Sequence, residues 1–491
     1  VGTGKLRAFH FLMVWVLLLT PLRGQEAAPL VRSSSRLVLL DVVVTDKDGH
    51  PIRGLKQTDF SVLENGVAQK VTSFEATSTE PGRPGNPVNS SRNLILLDEL
   101  NIEFSDLTFA RDRILEFLDR NPVEKQPTAL MVVGTHGLSM VQDYTQDSDT
   151  LKNKLKHLGA VNANSKGGID MDLAQDHAQA ALESLTQIAR SAVGAPYSLN
   201  VIWVTSGFAG LLQTPLTNDR MDAGLRGVAN LLIRSRMRLY TIDPAGVVPM
   251  AAMAGGAKIT RGSIRDGHQS SADGMLNSTH GEAMTADVLL RHMTKIMGGL
   301  SYRGRNDVDE ALSQAIEDGS SAYLISYSPS DSNFDGGYRK IEVHTGIEGS
   351  IARTRQGYYA NAEDATPNKE MIEARLQGAM SSPATYGALN VSCPATYDGA
   401  KNHLTGKIVV TPNQQAAASD QMEQVIRVSS FSKEQKVLNS WVWRINWKNP
   451  WTNRAVSASF DKELSPKAKS VRFLVSDAGA DRIGTCEYRL P

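Results

Sequence analysis

Four of the six tryptophans fall in one stretch, SWVWRINWKNPW, residues 440–451. In an extended strand successive side chains alternate between faces, so Trp441, Trp443, Ile445 and Trp447 share one face. Such a strip either fills the core of a β module or stacks on sugar rings or a protein surface. Arg444 and Asn446 on the other face suit both. Cys393 and Cys486 are the only cysteines. Two cysteines exclude a disulfide scaffold and a multi-cysteine zinc site, and leave one bridge between them open. Catalytic signatures are missing: there is no G-x-S-x-G elbow, no phosphate loop, no G-x-G-x-x-G after a strand and no H-E-x-x-H. The ten histidines are scattered, with no pair at metal-ligand spacing on a helix. His280, Gly281 and Glu282 read as a solvated loop end. The chain is therefore not expected to be an enzyme, and a secreted hydrolase with an unrecognised site is kept as a third reading.

The elements around these residues fall into regions. Residues 30–77 hold apolar, β-branched runs separated by turn signals at Asp48-Gly49 and Asn65-Gly66, which predicts a small β-sandwich-like module. Residues 78–92 are rich in Pro, Gly, Ser and Asn and read as a linker. Residues 93–360 alternate strands and helices. Leu94–Leu97, Ala129–Val133 and Val201–Val204 are short and wholly apolar, as strands covered on both faces should be, and RLYTID reads as another strand. Helices are expected over 107–118, 171–189, 221–233, 282–297 and 308–316. AYLISYS is expected to complete the set of strands, followed by added strands at YRKIEVHT and IARTRQGYYA. The fold class is thus α/β, a doubly wound, mainly parallel sheet between two β modules. A long loop is placed at 254–280, a polar connector at 361–380 and an all-β domain at 381–491.

At 491 residues, with 41% hydrophobic and 21% charged residues, the chain is globular and multidomain. Lys plus Arg and Asp plus Glu both count 52, so nothing favours a nucleic-acid partner or an anionic membrane. Lys5 and Arg7 precede an apolar run from Phe11 to Leu19, then Pro21 and Gly24. Residues 1–25 therefore read as a signal peptide, which makes the mature chain periplasmic or secreted, with no transmembrane span after cleavage; an uncleaved anchor is the competing reading.

NLILLDELNIEFSD resembles the first strand and loop of von Willebrand factor type A domains. TALMVVGTHGLSMVQDYTQD, SLNVIWVTSGF, RLYTIDPAG and AYLISYSPSDSNFDGGYRKIEVH follow in the order of that family. The resemblance covers about residues 35–360. It is closest to exported von Willebrand A-related proteins of acidobacteria, which carry a similar leading VVVTDKDGHPIRGLKQTDFSVLENG segment. It implies an adhesion or protein-interaction role and a divalent-cation site at the C-terminal edge of the parallel sheet. There a D-x-S-x-S loop, a Thr and a later Asp would supply the oxygen ligands such an ion needs.

This chain departs from that pattern. Asp98 is kept, but Leu100 and Ile102 stand where the hydroxyls should be. Thr205, Ser206 and Gly207 follow the later strand with no Asp, and the middle loop offers Asp170 and Asp172 rather than a clear Thr. No cofactor is therefore expected; Mg²⁺ or Ca²⁺ is the ion a fuller set would take, with Asp98 its one candidate ligand. The expected site is a metal-free rim of Asp98, Asn101, Thr205, Ser206 and Asp243 presented to an unidentified protein or cell-envelope component. The alternative is a carbohydrate- or envelope-binding face at Trp441, Trp443 and Trp447.

Overall fold

A computed structural model of the chain describes residues 37–76, 90–121, 123, 126–158, 171–207, 231, 234–244, 286–303, 308–360, 369–411, 421–448, 455–477 and 482–491. The expected signal peptide, most of the 78–92 linker, Asp170, nearly all of the 221–233 helix and the 254–280 loop lie outside the described residues.

Four strands come first: β1 (Val38–Thr45), β2 (Phe60–Glu64), β3 (Val67–Gln69) and β4 (Val71–Ala76). Asn65 and Gly66 join β2 to β3, both at positive φ (48° and 81°), as a tight hairpin turn requires.

Six strands then build the central sheet: β5 (Ser90–Asp98), β6 (Thr128–Gly134), β7 (Gly137–Thr145), β8 (Tyr197–Val204), β9 (Met237–Ile242) and β10 (Ser301–Tyr302). β5 begins at Ser90, so the expected linker gives way to strand before residue 92. Their spatial order is β10-β9-β8-β5-β6-β7, parallel throughout except for β7, which folds back on β6. Interleaved with them are α1 (Phe104–Arg120), α2 (Ser148–Lys156), α3 (Met171–Ala192), α4 (Ala286–Ile296) and α5 (Val308–Ser321). The apolar runs are continuous because both faces are covered. Leu94, Leu96, Val201 and Trp203 face a core shared with α3 and α4. Ile95, Leu97, Ile202 and Val204 face a second core shared with α1 and α5.

The strands expected to finish this sheet do something else. β11 (Tyr323–Tyr327) pairs with β1 and β4, β12 (Tyr338–Thr345) with β2 and β14 (Gly357–Tyr359), and β13 (Ile351–Arg353) with β1. The result is two four-stranded sheets, β13-β1-β11-β4 and β14-β12-β2-β3, packed over one core of Leu40, Val42, Val62, Tyr327, Ile341 and Val343. The expected self-contained module at 30–77 is thus half of a sandwich, completed by residues 323–359. The α/β domain is inserted into it. Its entry and exit adjoin, since Ala76 at the end of β4 is opposite Tyr323 at the start of β11. Two ion pairs bind the layers: Asp41–Arg236 at 2.8 Å, and Asp318, fully buried on α5, with Arg353 at 2.8 Å and the Tyr240 hydroxyl at 2.9 Å.

α6 (Lys369–Ser381) leads into a C-terminal sandwich. One sheet holds β15 (Asn390–Ser392), β17 (His403–Thr411), β16 (Ala395–Asp398) and β20 (Val456–Glu463). The other is β19 (Val437–Lys448), β18 (Gln421–Phe431), β21 (Ser470–Asp477) and β22 (Ile483–Arg489). It docks on the central domain through Gly387 N–H to the Ser191 carbonyl (3.2 Å) and the Thr385 hydroxyl to Asp143 (3.0 Å). Cys393 and Cys486 are joined as a disulfide. A bond across 93 residues restricts the unfolded chain strongly. Cys393→Ser is expected to cost about 2–4 kcal/mol in urea unfolding, with wild type losing the same amount when reduced.

Candidate functional site

The strand order of the central sheet reverses between β5 and β8. Open doubly wound sheets leave a crevice at this reversal, beyond the C-terminal ends of the strands. Asp98 ends β5 and Thr205 follows β8, so the topology brings the two together. The Thr205 hydroxyl donates to Asp98 Oδ2 at 2.9 Å. Asn101 Nδ2 lies 3.1 and 3.0 Å from the two carboxylate oxygens, and the backbone N–H groups of Leu100 and Asn101 reach Oδ1 at 3.3 and 3.2 Å. Beside this cluster the Ser206 hydroxyl donates to Asp243 Oδ1 at 3.2 Å, and Arg303 Nε lies 3.5 Å from Asp243 Oδ2. The five residues expected at the edge therefore form two adjoining groups.

Their exposure differs from the expected rim. Asp98, Asn101 and Thr205 are 0%, 2% and 1% exposed. They brace the turn after β5 rather than form a contact surface. The part-exposed polar groups here are Glu99, Ser206 and Arg303. Glu99 and Arg303 were not singled out from the sequence. Glu99 offered a signal, as a second carboxylate next to Asp98; Arg303 offered none, because its partner comes from another strand end.

Burial pushes the Asp98 carboxyl up to about 6, against the opposing pull of Asn101 and Thr205. Burial also pushes Glu99 up to about 7; Arg111 opposes the rise and the Asp98 charge adds to it. The sign for stability follows from linkage. A carboxyl whose folded value lies above its unfolded one holds an extra proton in the native state, so stability falls as pH rises through that window. For Asp98 a rise from 3.8 to about 6 corresponds to about 3 kcal/mol. Asp98→Asn cannot ionise. Between about pH 4 and pH 7 it is expected to gain about 3 kcal/mol on wild type in urea unfolding. Parallel pH curves for the two chains would contradict this.

These residues do not fit a divalent cation. Asp98 spends both oxygens on four donor groups, and an amide nitrogen sits across the carboxylate where an ion would lie. Leu100 and Ile102, at the hydroxyl positions of the family loop, are buried in the two separate cores of the central domain. Among the described residues no group of three or more His, Cys, Asp or Glu is placed to hold a metal.

The described part of the tryptophan strip faces inward. Trp441, Trp443 and Ile445 are part-buried and pack on the core of the C-terminal sandwich, near Phe460 and Phe473. Lys462 of β20 lies over both rings, 5.9 Å from the centroid of Trp441 and 5.3 Å from that of Trp443. The side chain of Trp447 lies outside the described set. The described part of the strip thus fills a core and is not an open stacking platform.

No protein-family model matches the chain, and no curated relative matches it by sequence. In structure it is similar to the conserved hypothetical protein BatB from Bacteroides thetaiotaomicron, at 16% identity over 47% of this chain and 98% of that one, with a TM-score of 0.26. It is also similar to the SpRpn10 VWA domain, at 16% identity over 31% of this chain and 74% of that one, with a TM-score of 0.18. The likeness is to von Willebrand A-type folds and reaches no further than fold.

Proposed function

We propose that the chain is an exported, non-enzymatic interaction or adhesion protein of the von Willebrand A-related, acidobacterial type, which binds its partner without a metal ion. One observation carries the reading: Asn101 and Thr205 close the Asp98 carboxylate at the switch point of the sheet. That closure leaves a braced, ion-independent edge on which Glu99, Ser206 and Arg303 are the part-exposed polar groups. Hydrolase chemistry run by the Asp98 carboxylate would need it to reach substrate. Asp98 is fully buried and fully hydrogen-bonded, which leaves Glu99 without a reachable acid–base partner in Asp98. Export is supported by the basic-then-apolar N-terminus and by the Cys393–Cys486 bridge, which suits an oxidising compartment. Among the described residues no helix is long and apolar enough to cross a membrane.

The test is capture of partners from the native envelope fraction by the purified chain, with and without chelator. The expected result is equal capture in both, lost on Ser206→Tyr, which adds a ring to the part-exposed edge. Capture that chelator abolishes, or no capture at all, would contradict the reading.

A further inference from the structure

The opposite edge of the central sheet, where β9 begins, meets the first sandwich. A cleft opens there between Asp41 of β1, Arg236 and Arg238 flanking the start of β9, Met297 after α4, and Thr354 and Arg355 after β13. Among the described residues, three guanidinium groups and one carboxylate line it. Arg236, Arg238 and Arg355 all act on the single carboxylate of Asp41, and Arg236 alone holds both its oxygens, at 2.8 and 3.2 Å.

Arg238 is 2% exposed and rigidly placed. A buried ladder runs from Gln126 to Asn93 (2.8 Å), to Asn200 (2.9 Å) and on to Arg238 Nε (2.9 Å). Ser198 accepts from Arg238 Nη2 at 3.2 Å. Arg238 Nη1 has no hydrogen-bond partner among the described residues, and neither has the buried Thr354 hydroxyl on the other wall. A buried donor left unmatched is costly, and more so when it is charged. Two such donors in one guanidinium-lined cleft call for an acceptor that carries negative charge. Water could bridge them but would bring no charge, whereas guanidinium groups match the oxygens of a tetrahedral anion.

We propose that this seam binds a small oxyanion of the phosphate or sulfate type, held by Arg238 Nη1 and the Thr354 hydroxyl in the field of Arg236 and Arg355. Because Thr354 belongs to the sandwich and Arg238 to the inserted domain, the anion ties the two together. The site is separate from the Asp98 edge and does not depend on the function proposed for it.

The test is thermal unfolding and titration calorimetry of the full chain with inorganic phosphate or sulfate, against chloride at matched ionic strength. Wild type should unfold at a higher temperature in phosphate, sulfate or both than in chloride, and the calorimeter should report one site. The anion that binds identifies the source. Thr354→Val should unfold in chloride at the wild-type temperature or above, because the lost hydroxyl has no partner, while its oxyanion affinity drops about tenfold or more. Arg238→Lys keeps the charge but loses the fork, and should also weaken binding. Equal unfolding temperatures for wild type in all three salts would overturn the proposal. So would a rise that Thr354→Val retains in full, which is general salting of apolar surface over a water-filled cleft. A Thr354→Val chain destabilised in chloride would overturn it as well.

Discussion

Leu100→Ser combined with Ile102→Ser, which rebuilds the hydroxyl pattern of the family loop, is expected to destabilise the chain by at least about 4 kcal/mol and to create no Mg²⁺ site. Truncating a buried Leu or Ile costs about 2–5 kcal/mol, and a buried hydroxyl without a partner adds to it. Leu100 is 8% exposed, Ile102 4%. The two enter different cores, on opposite faces of the sheet, so their losses should nearly add. In an ion-binding loop these positions would point oxygens at the metal. Here they anchor the loop from both sides, while the amide of Asn101 and the hydroxyl of Thr205 take up the carboxylate. Urea unfolding of the single and double variants, with and without Mg²⁺, measures both halves of the expectation. A double variant as stable as wild type, or one stabilised by Mg²⁺, would show that the loop retains room for an ion.

Arg339→Ala is expected to cost about 3–5 kcal/mol, the usual penalty for removing one partner of a buried ion pair. Arg339 and Glu64 are both 3% exposed in the core of the first sandwich, with Nη1 2.9 Å from Oε1. Arg339 also donates to the carbonyls of Asp331 and Asn333, while the Tyr327 and Tyr358 hydroxyls donate to Glu64 Oε2 at 2.7 and 3.1 Å. Burial and the nearby Glu64 push both phenols up, Tyr358 to about 12, so they stay protonated donors. Removing the guanidinium leaves the Glu64 carboxyl buried without its counter-charge, held only by those phenols. The double replacement Glu64→Gln with Arg339→Met removes both charges and should cost less than Arg339→Ala alone. Because the α/β domain is inserted between the halves of this sandwich, both should unfold together in the variant. Separate transitions by tryptophan fluorescence and by far-ultraviolet dichroism would contradict that coupling.

The central sheet was legible because a strand covered on both faces has to be apolar throughout, as Leu94–Leu97 and Val201–Val204 are. The same property misplaced β11. Tyr323–Tyr327 is as apolar and as buried as those strands, and burial does not say which neighbour a strand takes. Its partners lie far earlier in the chain, β4 about 250 residues and β1 more than 280, and both are joined to it antiparallel. The short strands β15, β16 and β22, three to seven residues of mixed exposure, carry little pattern of their own. At the site, Asp98, Asn101, Thr205, Ser206 and Asp243 could be gathered from strand ends and the family resemblance. Their burial could not, because it depends on Leu100 and Ile102 pulling the loop inward. Whether Trp441 and Trp443 faced in or out was undecidable from alternation alone; the facing sheet, with Lys462 and Phe460, decides it.

Metal independence of the Asp98 edge is the central claim, and thermal unfolding of the full chain in millimolar Mg²⁺, in millimolar Ca²⁺ and in chelator tests it most directly. An ion present at a hundredfold excess over its dissociation constant would stabilise the native state by about 2.7 kcal/mol, a shift that calorimetry resolves. The expected result is one unfolding temperature in all three conditions, for wild type and for Asp98→Asn alike. A rise in Mg²⁺ or Ca²⁺ that chelator reverses and Asp98→Asn abolishes would contradict the account, and would return this edge to the ion-dependent binding that its family resemblance implies.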